Sequence, residues 1–342
     1  MFYVLDGELH GFCAGAPWTA TPALVIVIVR AGPPGGRHGN SCPPRADRRL
    51  SVPAARVPNR DADNRPDGAT VRVMSITLRG VNLGYMGLDL SLLSNRPGNV
   101  GVAYRCPAIA YIIETPAGRI LWETGLSAHA GEEWMPEWLE AIGLDEATPE
   151  TFIEARLKEL GLGPDDFRYV VLGHLHTDHA GGLRLFEDAG AEIVVHEEEY
   201  AHVTGLEQDG DFFAQVDWAF LGDKKPTLAT GKVTELTGGI QLVHLPGHTP
   251  GQMAMQLELE HTGTVLLTSD ALYHHDNYAE PVAAPQIYWD VDHWRSSLDT
   301  LTGIAKQHDA WLFPGHDEMG IQHLDGRAQL RAIDFSAGHT YA

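Results

Sequence analysis

The chain is poor in basic residues. It has 24 Lys and Arg against 46 Asp and Glu in 342 residues, which gives a formal net charge of −22. Because proteins bind nucleic acids mainly by neutralising phosphates with Lys and Arg, this deficit argues against a nucleic-acid substrate or partner. The acidity itself indicates little more than good solubility.

Cysteines and long hydrophobic runs are also scarce. The three cysteines, Cys13, Cys42 and Cys106, are odd in number and show no C-x-x-C spacing, so they indicate neither a disulfide framework nor a thiolate zinc site and suit a reducing compartment. The longest apolar run near the start, residues 23–29, is too short to span a bilayer. The residues before it carry acids and no Lys or Arg, unlike a secretory signal. The sequence therefore predicts a cytoplasmic protein with no membrane partner.

The composition changes near Met74. Residues 1–73 carry nine Arg, six acidic residues and no Lys, and residues 32–67 are rich in Pro, Arg, Gly and Asp. Such a segment cannot bury enough apolar surface to offset its ordering entropy. We therefore predict that residues 1–73 are a disordered or non-native N-terminal extension, with Met74 as the candidate native start. Residues 74–342 are predicted to form the functional domain.

From Met74 onward, short apolar segments punctuated by Gly, Pro or Asp predict strands. Residues 74–86 alternate like a strand, and further strands are predicted at residues 108–114, 119–123, 169–172, 193–196, 233–236, 241–244, 253–258, 265–268 and 310–313. Residues 149–160 and 292–307 have the pattern of helices. Strands interleaved with helices in two successive halves predict an α+β fold, with two sheets face to face and helices outside.

The segment VVLGHLHTDHAGG, residues 170–182, carries the strongest chemical signal. Side chains at positions i and i+2 of an extended chain point the same way, so His174 and His176 can bind one ion together. Asp178 and His179 follow in a turn, from which they can reach a second ion. Imidazole and carboxylate are ligands that zinc and similar divalent metals prefer.

Three more candidate ligands follow predicted strands. His248 lies in LPGHTPG, Asp270 ends TVLLTSD, and His316 lies in WLFPGHD. The complete set of five His and two Asp is enough for two metal ions if one carboxylate bridges them. We therefore predict two divalent metal ions, with zinc first and Mn, Fe or Co as alternatives. A lone His is more often solvent-facing or packed than a ligand, so this prediction depends on the whole set.

The order HLHTDH, then GH, then Asp, then GH resembles the metallo-β-lactamase superfamily over about residues 76–335. The resemblance implies a four-layer αββα sandwich with the metals at one edge between the sheets. It also implies that one metal is bound by His174, His176 and His248, the other by Asp178, His179 and His316, and that both are bridged by Asp270.

Within that superfamily, the sequence resembles the N-acyl-homoserine lactonases. Tyr273 lies three residues after Asp270, where the resemblance implies a phenol directed at the substrate carbonyl. The intervals of 22 residues from His248 to Asp270 and 46 residues from Asp270 to His316 also match. One departure is Glu123 in WETG, where the family carries an Asp that supports the metal site.

This resemblance implies a quorum-quenching hydrolase whose small-molecule substrate is a lactone. Two metal ions would supply an activated water for attack on the carbonyl. Tyr273 would help to hold the developing oxyanion, and Asp178 would pass a proton to the ring oxygen as it leaves. The candidates for an apolar groove around the acyl tail are Leu83, Tyr85, Met86, Phe212, Phe213, Trp218 and Phe220.

Other functions share this ligand set. Glyoxalase II-type thioester hydrolysis needs basic residues for the glutathione carboxylates, and Lys224 with Lys225 is the only adjacent pair in the second half. Three further classes are disfavoured because the sequence does not show the features they carry. A nuclease of this superfamily has a large inserted domain, a zinc β-lactamase has a secretory signal, and a flavodiiron protein has a fused flavodoxin-like domain. Other lactones, aryl esters and organophosphates stay open as substrates, and a homodimer stays open as the assembly.

Overall fold

The computed structural model describes residues 2–5, 8–11, 75–279 and 282–342. The prediction of a disordered or non-native extension over residues 1–73 lies outside the described residues, apart from one short hairpin. In that hairpin, β1 (Phe2–Leu5) pairs antiparallel with β2 (Glu8–Gly11). Within the described ranges, no helix has the length and apolar character needed to cross a membrane.

The remaining strands form two mixed sheets of seven strands each. The first sheet contains β3 (Thr77–Asp89), β4 (Ala103–Thr115), β5 (Gly118–Trp122), β6 (Gly143–Glu146), β7 (Tyr169–Val171), β8 (Glu192–His196) and β9 (Thr227–Ala229), in the order β6-β3-β4-β5-β7-β8-β9. The second contains β10 (Val233–Thr237), β11 (Ile240–His244), β12 (Met253–Leu259), β13 (Gly263–Ser269), β14 (Trp311–Pro314), β15 (Met319–Leu324) and β16 (Arg327–Ala332), in sequence order.

Helices lie between the strands. They are α1 (Leu90–Leu93), α2 (Ala130–Glu133), α3 (Pro136–Ala141), α4 (Ile153–Glu159), α5 (Thr177–Ala180), α6 (Glu197–Thr204), α7 (Gln215–Trp218), α8 (Leu221–Lys224) and α9 (Val291–His308). Short 3-10 turns cover Pro97–Asn99, Pro164–Asp166, Leu183–Phe186 and His275–Asn277.

Three apolar cores separate four layers. Side chains alternate between the two faces of a strand, so successive residues of β4 enter different cores. Ile109 and Ile113 pack between the two sheets, whereas Ile112 packs between the first sheet and its helices. A third core lies between the second sheet and α9, which contributes Trp294. This arrangement confirms the predicted four-layer αββα sandwich.

The structure changes some predicted boundaries. The helix expected over residues 149–160 begins only at Ile153, because Thr148 and Thr151 hydrogen-bond to each other in a preceding turn. The long helix α9 is confirmed, and the Asp290 carboxylate caps it by accepting a hydrogen bond from the His293 amide. The hairpin formed by β15 and β16 was not predicted, because β16 is exposed throughout and has no apolar run that would indicate a buried strand.

Candidate metal centre

The candidate ligands follow strands that end at one edge of the sandwich. β11 and β13 are both antiparallel to β12, and β14 is parallel to β13, so these three strands run in the same direction. The segments that follow them carry His248, Asp270 and His316. From the first sheet, β7 leads into the loop with His174 and His176.

The second half of the first motif is helical. α5 begins directly after His176, so Asp178 and His179 lie in a short helix and not in the turn that was predicted. Gly182, just beyond the helix, is required by close packing, since a Cβ there would lie 2.5 Å from Ile153 and 2.6 Å from the Thr124 carbonyl oxygen. The motif glycines therefore let the helix pack directly against neighbouring segments.

His174, His176 and His248 form one buried cluster. The Nε2 atom of His248 lies 3.0 Å from Nε2 of His174 and 2.9 Å from Nδ1 of His176. The first two residues come from the first sheet and the third from the second sheet. The fold thus brings together the three imidazoles that the family resemblance assigns to one metal.

Asp178, His179 and His316 form a second cluster beside the first. The Nε2 atom of His316 lies 3.3 Å from Nε2 of His179 and 3.3 Å from Oδ2 of Asp178. This set also matches the grouping expected from the sequence. Each cluster could hold one cation.

Asp270 lies between the two clusters. Its Oδ2 is 3.4 Å from Nε2 of His248, and its Oδ1 is 3.4 Å from Nε2 of His179 and 3.3 Å from Nε2 of His316. The side chain is buried, and Oδ1 has no hydrogen-bond partner among the described residues. This buried oxygen makes no hydrogen bond within that part of the chain and faces two imidazole nitrogens at 3.3 and 3.4 Å, so it is suited to a cation that those imidazoles would also bind.

The spacing of these atoms fits divalent metal ions. Ligands at about 2.0–2.1 Å from a tetrahedral ion are about 3.3 Å from one another. The ligand-atom separations in the two clusters run from 2.9 Å to 3.7 Å, close to that value. Imidazoles with a few carboxylates are also the donor set that zinc and related ions prefer.

Charge within the site is distributed unevenly. Burial, followed by the charge of neighbouring imidazoles, lowers the pKa values of His174 and His176, so these rings are neutral as metal ligands must be. Burial alone would raise the pKa of Asp270, but the imidazoles of His316, His179 and His248 outweigh it and hold that pKa well below its usual range. The carboxylate is therefore ionised and attracts a cation.

The second nitrogen of several of these imidazoles also has a partner, which fixes the ring orientation. Ser269 Oγ lies 3.3 Å from Nδ1 of His174, the Ile287 carbonyl oxygen 3.3 Å from Nδ1 of His248, and the Pro107 carbonyl oxygen 3.0 Å from Nδ1 of His316. None of these partners was predicted. Two of them act through the backbone, so their side chains give no signal in the sequence.

Tyr273 lies against the first cluster. Its side chain is 2% exposed, and its hydroxyl donates to the Ile287 carbonyl oxygen at 2.8 Å and contacts Nδ1 of His248. Burial, and then the charges of Asp270 and Asp178, raise the pKa of Tyr273 well above its usual range. The phenol is therefore protonated and can donate a hydrogen bond.

A largely apolar cavity opens onto both clusters. Besides His176, Asp178, His248, Asp270, Tyr273 and His316, it is lined by Met86, Leu88, Leu92, Leu93, Cys106, Ala141, Ile142, Phe212 and Ile287. Of the residues expected to form a groove, Met86 and Phe212 are confirmed as lining. Leu83, Phe213 and Trp218 instead belong to the buried core, and Phe220 packs against it.

Tyr85 was also expected in the groove, and that expectation is wrong. Its hydroxyl donates to Glu318, and its ring lies under the guanidinium of Arg105, 3.1 Å from the ring centroid. A strand residue faces one side only, and the alternation of β3 sends Met86 into the cavity and its neighbour elsewhere.

Comparison with known proteins agrees with this geometry. The profile of the metallo-β-lactamase superfamily matches residues 103–316, which is more than half of the chain. The chain belongs to the metallo-β-lactamase superfamily. The match begins with β4 and ends at His316, so it spans both clusters.

Several similar members of the superfamily are named as N-acyl homoserine lactonases or lactone hydrolases. An N-acyl homoserine lactonase of Bacillus cereus is 31% identical over 242 residues, which is 69% of this chain and 91% of that protein. The N-acyl homoserine lactonase AiiB of Agrobacterium fabrum is 28% identical over 228 residues, covering 62% and 79%. A solved N-acyl homoserine lactone hydrolase, with the product N-hexanoyl-L-homoserine at its catalytic metal centre, is 31% identical with a TM-score of 0.63, covering 71% and 94%.

These relatives indicate that the chain is a metal-dependent hydrolase. Structural likeness extends further than sequence: the dizinc quorum-quenching lactonase AidC matches with a TM-score of 0.60 over 78% of this chain and 97% of that one, at 15% identity. At that identity the likeness shows the metallo-β-lactamase fold alone.

Glu123 is the residue at which this member of the superfamily departs from the expected pattern. It is 2% exposed, and its Oε1 lies 3.5 Å from Nδ1 of His179 and accepts a hydrogen bond of 3.2 Å from the Gly173 amide. A Cβ at Gly173 would lie 2.6 Å from Oε1, so only glycine leaves room for the longer acid. Glu123 therefore still reaches the second-cluster histidine, as a carboxylate partner does in metal sites.

Proposed function

We propose that this protein is a quorum-quenching lactonase that hydrolyses the ring ester of N-acyl-homoserine lactones at a site for two divalent metal ions. The observation that carries the proposal is Asp270, which directs one carboxylate oxygen toward each of two adjacent ligand clusters. The names of its relatives, and the homoserine product held by one of them, support the substrate class.

In this proposal the seven residues divide as the sequence analysis expects. One ion would be held by His174, His176 and His248, the other by Asp178, His179 and His316, and Asp270 would be a ligand of both. When bound, such a pair supplies Lewis acidity that activates water and polarises a carbonyl. We propose zinc as the resident metal, because the donor set is rich in imidazole.

Two side chains then act on the substrate. The protonated phenol of Tyr273 turns its single proton from the Ile287 carbonyl oxygen to the substrate carbonyl oxygen as negative charge develops there. Asp178 lines the same cavity and is ionised, because His179 and His316 lower its pKa despite its burial. Asp178 accepts a proton from the attacking water and passes it to the ring oxygen, which leaves as a hydroxyl group when the ring C–O bond breaks.

The cavity favours a neutral, lipophilic substrate. Leu92, Leu93, Ile142, Phe212 and Ile287 can surround an acyl tail by excluding water from it. Among the described residues that line the cavity there is no Lys or Arg that could pair with a carboxylate. This lining disfavours the acyl-glutathione thioesters of glyoxalase II. A cytoplasmic location is part of the proposal, and the sequence leaves a homodimer open.

Metal content gives the first prediction. We expect about two divalent ions per chain, because seven ligands are too many for one ion. The measurement is elemental analysis of protein purified without chelator, compared with its specific activity. Fully active protein that holds one ion or none would contradict the two-metal site.

Ring opening gives the second prediction. Incubation with N-hexanoyl-homoserine lactone should yield a single product heavier by one water, followed by mass spectrometry and by proton release. Dialysis against a chelator should abolish the reaction, and added zinc, manganese or cobalt should restore it. If metal-loaded protein opened the ring no faster than buffer does, the proposed function would be wrong.

A further inference from the structure

The three-histidine cluster is assembled from two separate loops. His174 and His176 lie in the loop after β7, in the first sheet, and His248 lies in the loop after β11, in the second sheet. The metal-facing atoms of all three imidazoles must lie within about 0.2 Å of the right distance from one ion. Something must therefore hold the two loops at a fixed spacing.

Glu199 contacts both of these loops. It lies in the first turn of α6, and its side chain is fully buried at 0% exposure. Its Oε1 accepts a hydrogen bond of 2.9 Å from the amide of Leu175, the residue between His174 and His176. Its Oε2 accepts one of 3.0 Å from the amide of Gly251, three residues after His248. Each oxygen thus holds one loop.

The backbone of the His248 loop packs closely against Glu199. A Cβ on Gly251 would lie 2.2 Å from the Glu199 nitrogen, so the His248 loop rests directly on α6. A carboxylate is the only side-chain group of this length that accepts at both ends, whereas an amide would present N–H to one of the two donors. Burial raises the pKa of Glu199 to about 7, although the Thr249 hydroxyl and the two amides oppose this.

A second link between the loops lies on the other side of the histidines. The Met253 amide donates to the Gly173 carbonyl oxygen at 2.8 Å, which joins the loops before His174. Around the histidines themselves, within the described residues, Glu199 is the side chain that accepts hydrogen bonds from the backbone of both loops.

We propose that Glu199 is a positioning residue that holds the two loops at the spacing at which His174, His176 and His248 bind one metal ion. The inference rests on the proposed two-metal site. Glu199 itself touches neither the substrate nor an ion, so its effect should be selective for one of the two ions.

The test is a Co²⁺ titration of metal-free Glu199→Gln, followed by visible absorption. Removal of a partner that orients metal ligands typically weakens metal binding 10–100-fold. We expect one of the two ions to bind about 10–100-fold more weakly, with a changed absorption band, while the other ion binds as in the unaltered protein. The matched control is Glu197→Gln, which removes the same charge from an exposed neighbour in the same turn.

Two outcomes would overturn the proposal. One is unchanged Co²⁺ affinity and spectrum in Glu199→Gln. The other is equal weakening of both ions together with a lower melting temperature, which is what a merely structural role would produce. Should Glu199→Gln not fold, Glu199→Asp keeps the charge but is one methylene shorter, so it cannot reach both the Leu175 and Gly251 amides. This variant is expected to weaken binding of the same ion several-fold, and unchanged binding would overturn the proposal.

Because the readout is metal binding, a protein that binds two ions but opens no lactone would contradict only the proposed function.

Discussion

Asp270→Ala is expected to lose both metal ions and the hydrolytic activity together. The carboxylate directs one oxygen toward each cluster, so it is the candidate ligand that both ions would share. Loss of a group that only orients a ligand costs roughly 10–100-fold in metal affinity or activity, and loss of a shared ligand should cost more. We expect kcat/KM to fall by more than about a thousandfold.

The measurement pairs elemental analysis with the lactone assay on the same sample. Asp299→Ala is a suitable control, because Asp299 is exposed on α9. The control should keep two ions and full activity. Asp270→Ala protein that retained both ions would show that the carboxylate does not bridge them, whatever its activity.

Tyr273→Phe is expected to separate metal binding from catalysis. The hydroxyl is not a metal ligand, and after its loss Nδ1 of His248 still faces the Ile287 carbonyl oxygen at 3.3 Å. Both ions should therefore remain. Removal of one hydrogen-bond donor to a developing oxyanion typically lowers kcat by about 10²–10³-fold, and we expect a loss in that range.

Steady-state kinetics with metal analysis measures this effect. Tyr288→Phe removes a phenol hydroxyl from an exposed tyrosine nearby and should leave the rate unchanged. Tyr273→Phe protein as active as the unaltered protein would remove the lactonase-specific part of the account. The two-metal hydrolase would still stand.

The candidate ligands could be predicted because each is a side chain whose identity shows its chemistry. His248, Asp270 and His316 also follow strands, and strand ends are visible as the limits of apolar runs. The partners that orient them could not be predicted in the same way. Pro107 and Ile287 contribute backbone carbonyl oxygens, which every residue carries. Their role exists only once the tertiary structure has placed them.

The fold was predictable where the pattern reflects burial. β4, β12 and β13 bury most of their residues, and the sequence marks them as apolar runs. β16 is exposed along its length and leaves no such mark. The cavity lining was the least predictable part, because an aromatic residue such as Phe213 looks the same in a core as in a groove. The packing of helices against the first sheet determines whether such a residue lies in the core or lines the cavity.

The most direct test of the central claim is a competition assay at neutral pH between an N-acyl-homoserine lactone and an acyl-glutathione thioester. Ring opening is followed by proton release and thioester cleavage by free thiol. Discrimination between substrates is a difference in transition-state binding, so it must be read as kcat/KM. The account predicts that kcat/KM for the lactone exceeds that for the thioester by about tenfold or more, because the cavity is apolar and lacks a basic partner among its described lining residues. A clear preference for the thioester would contradict it.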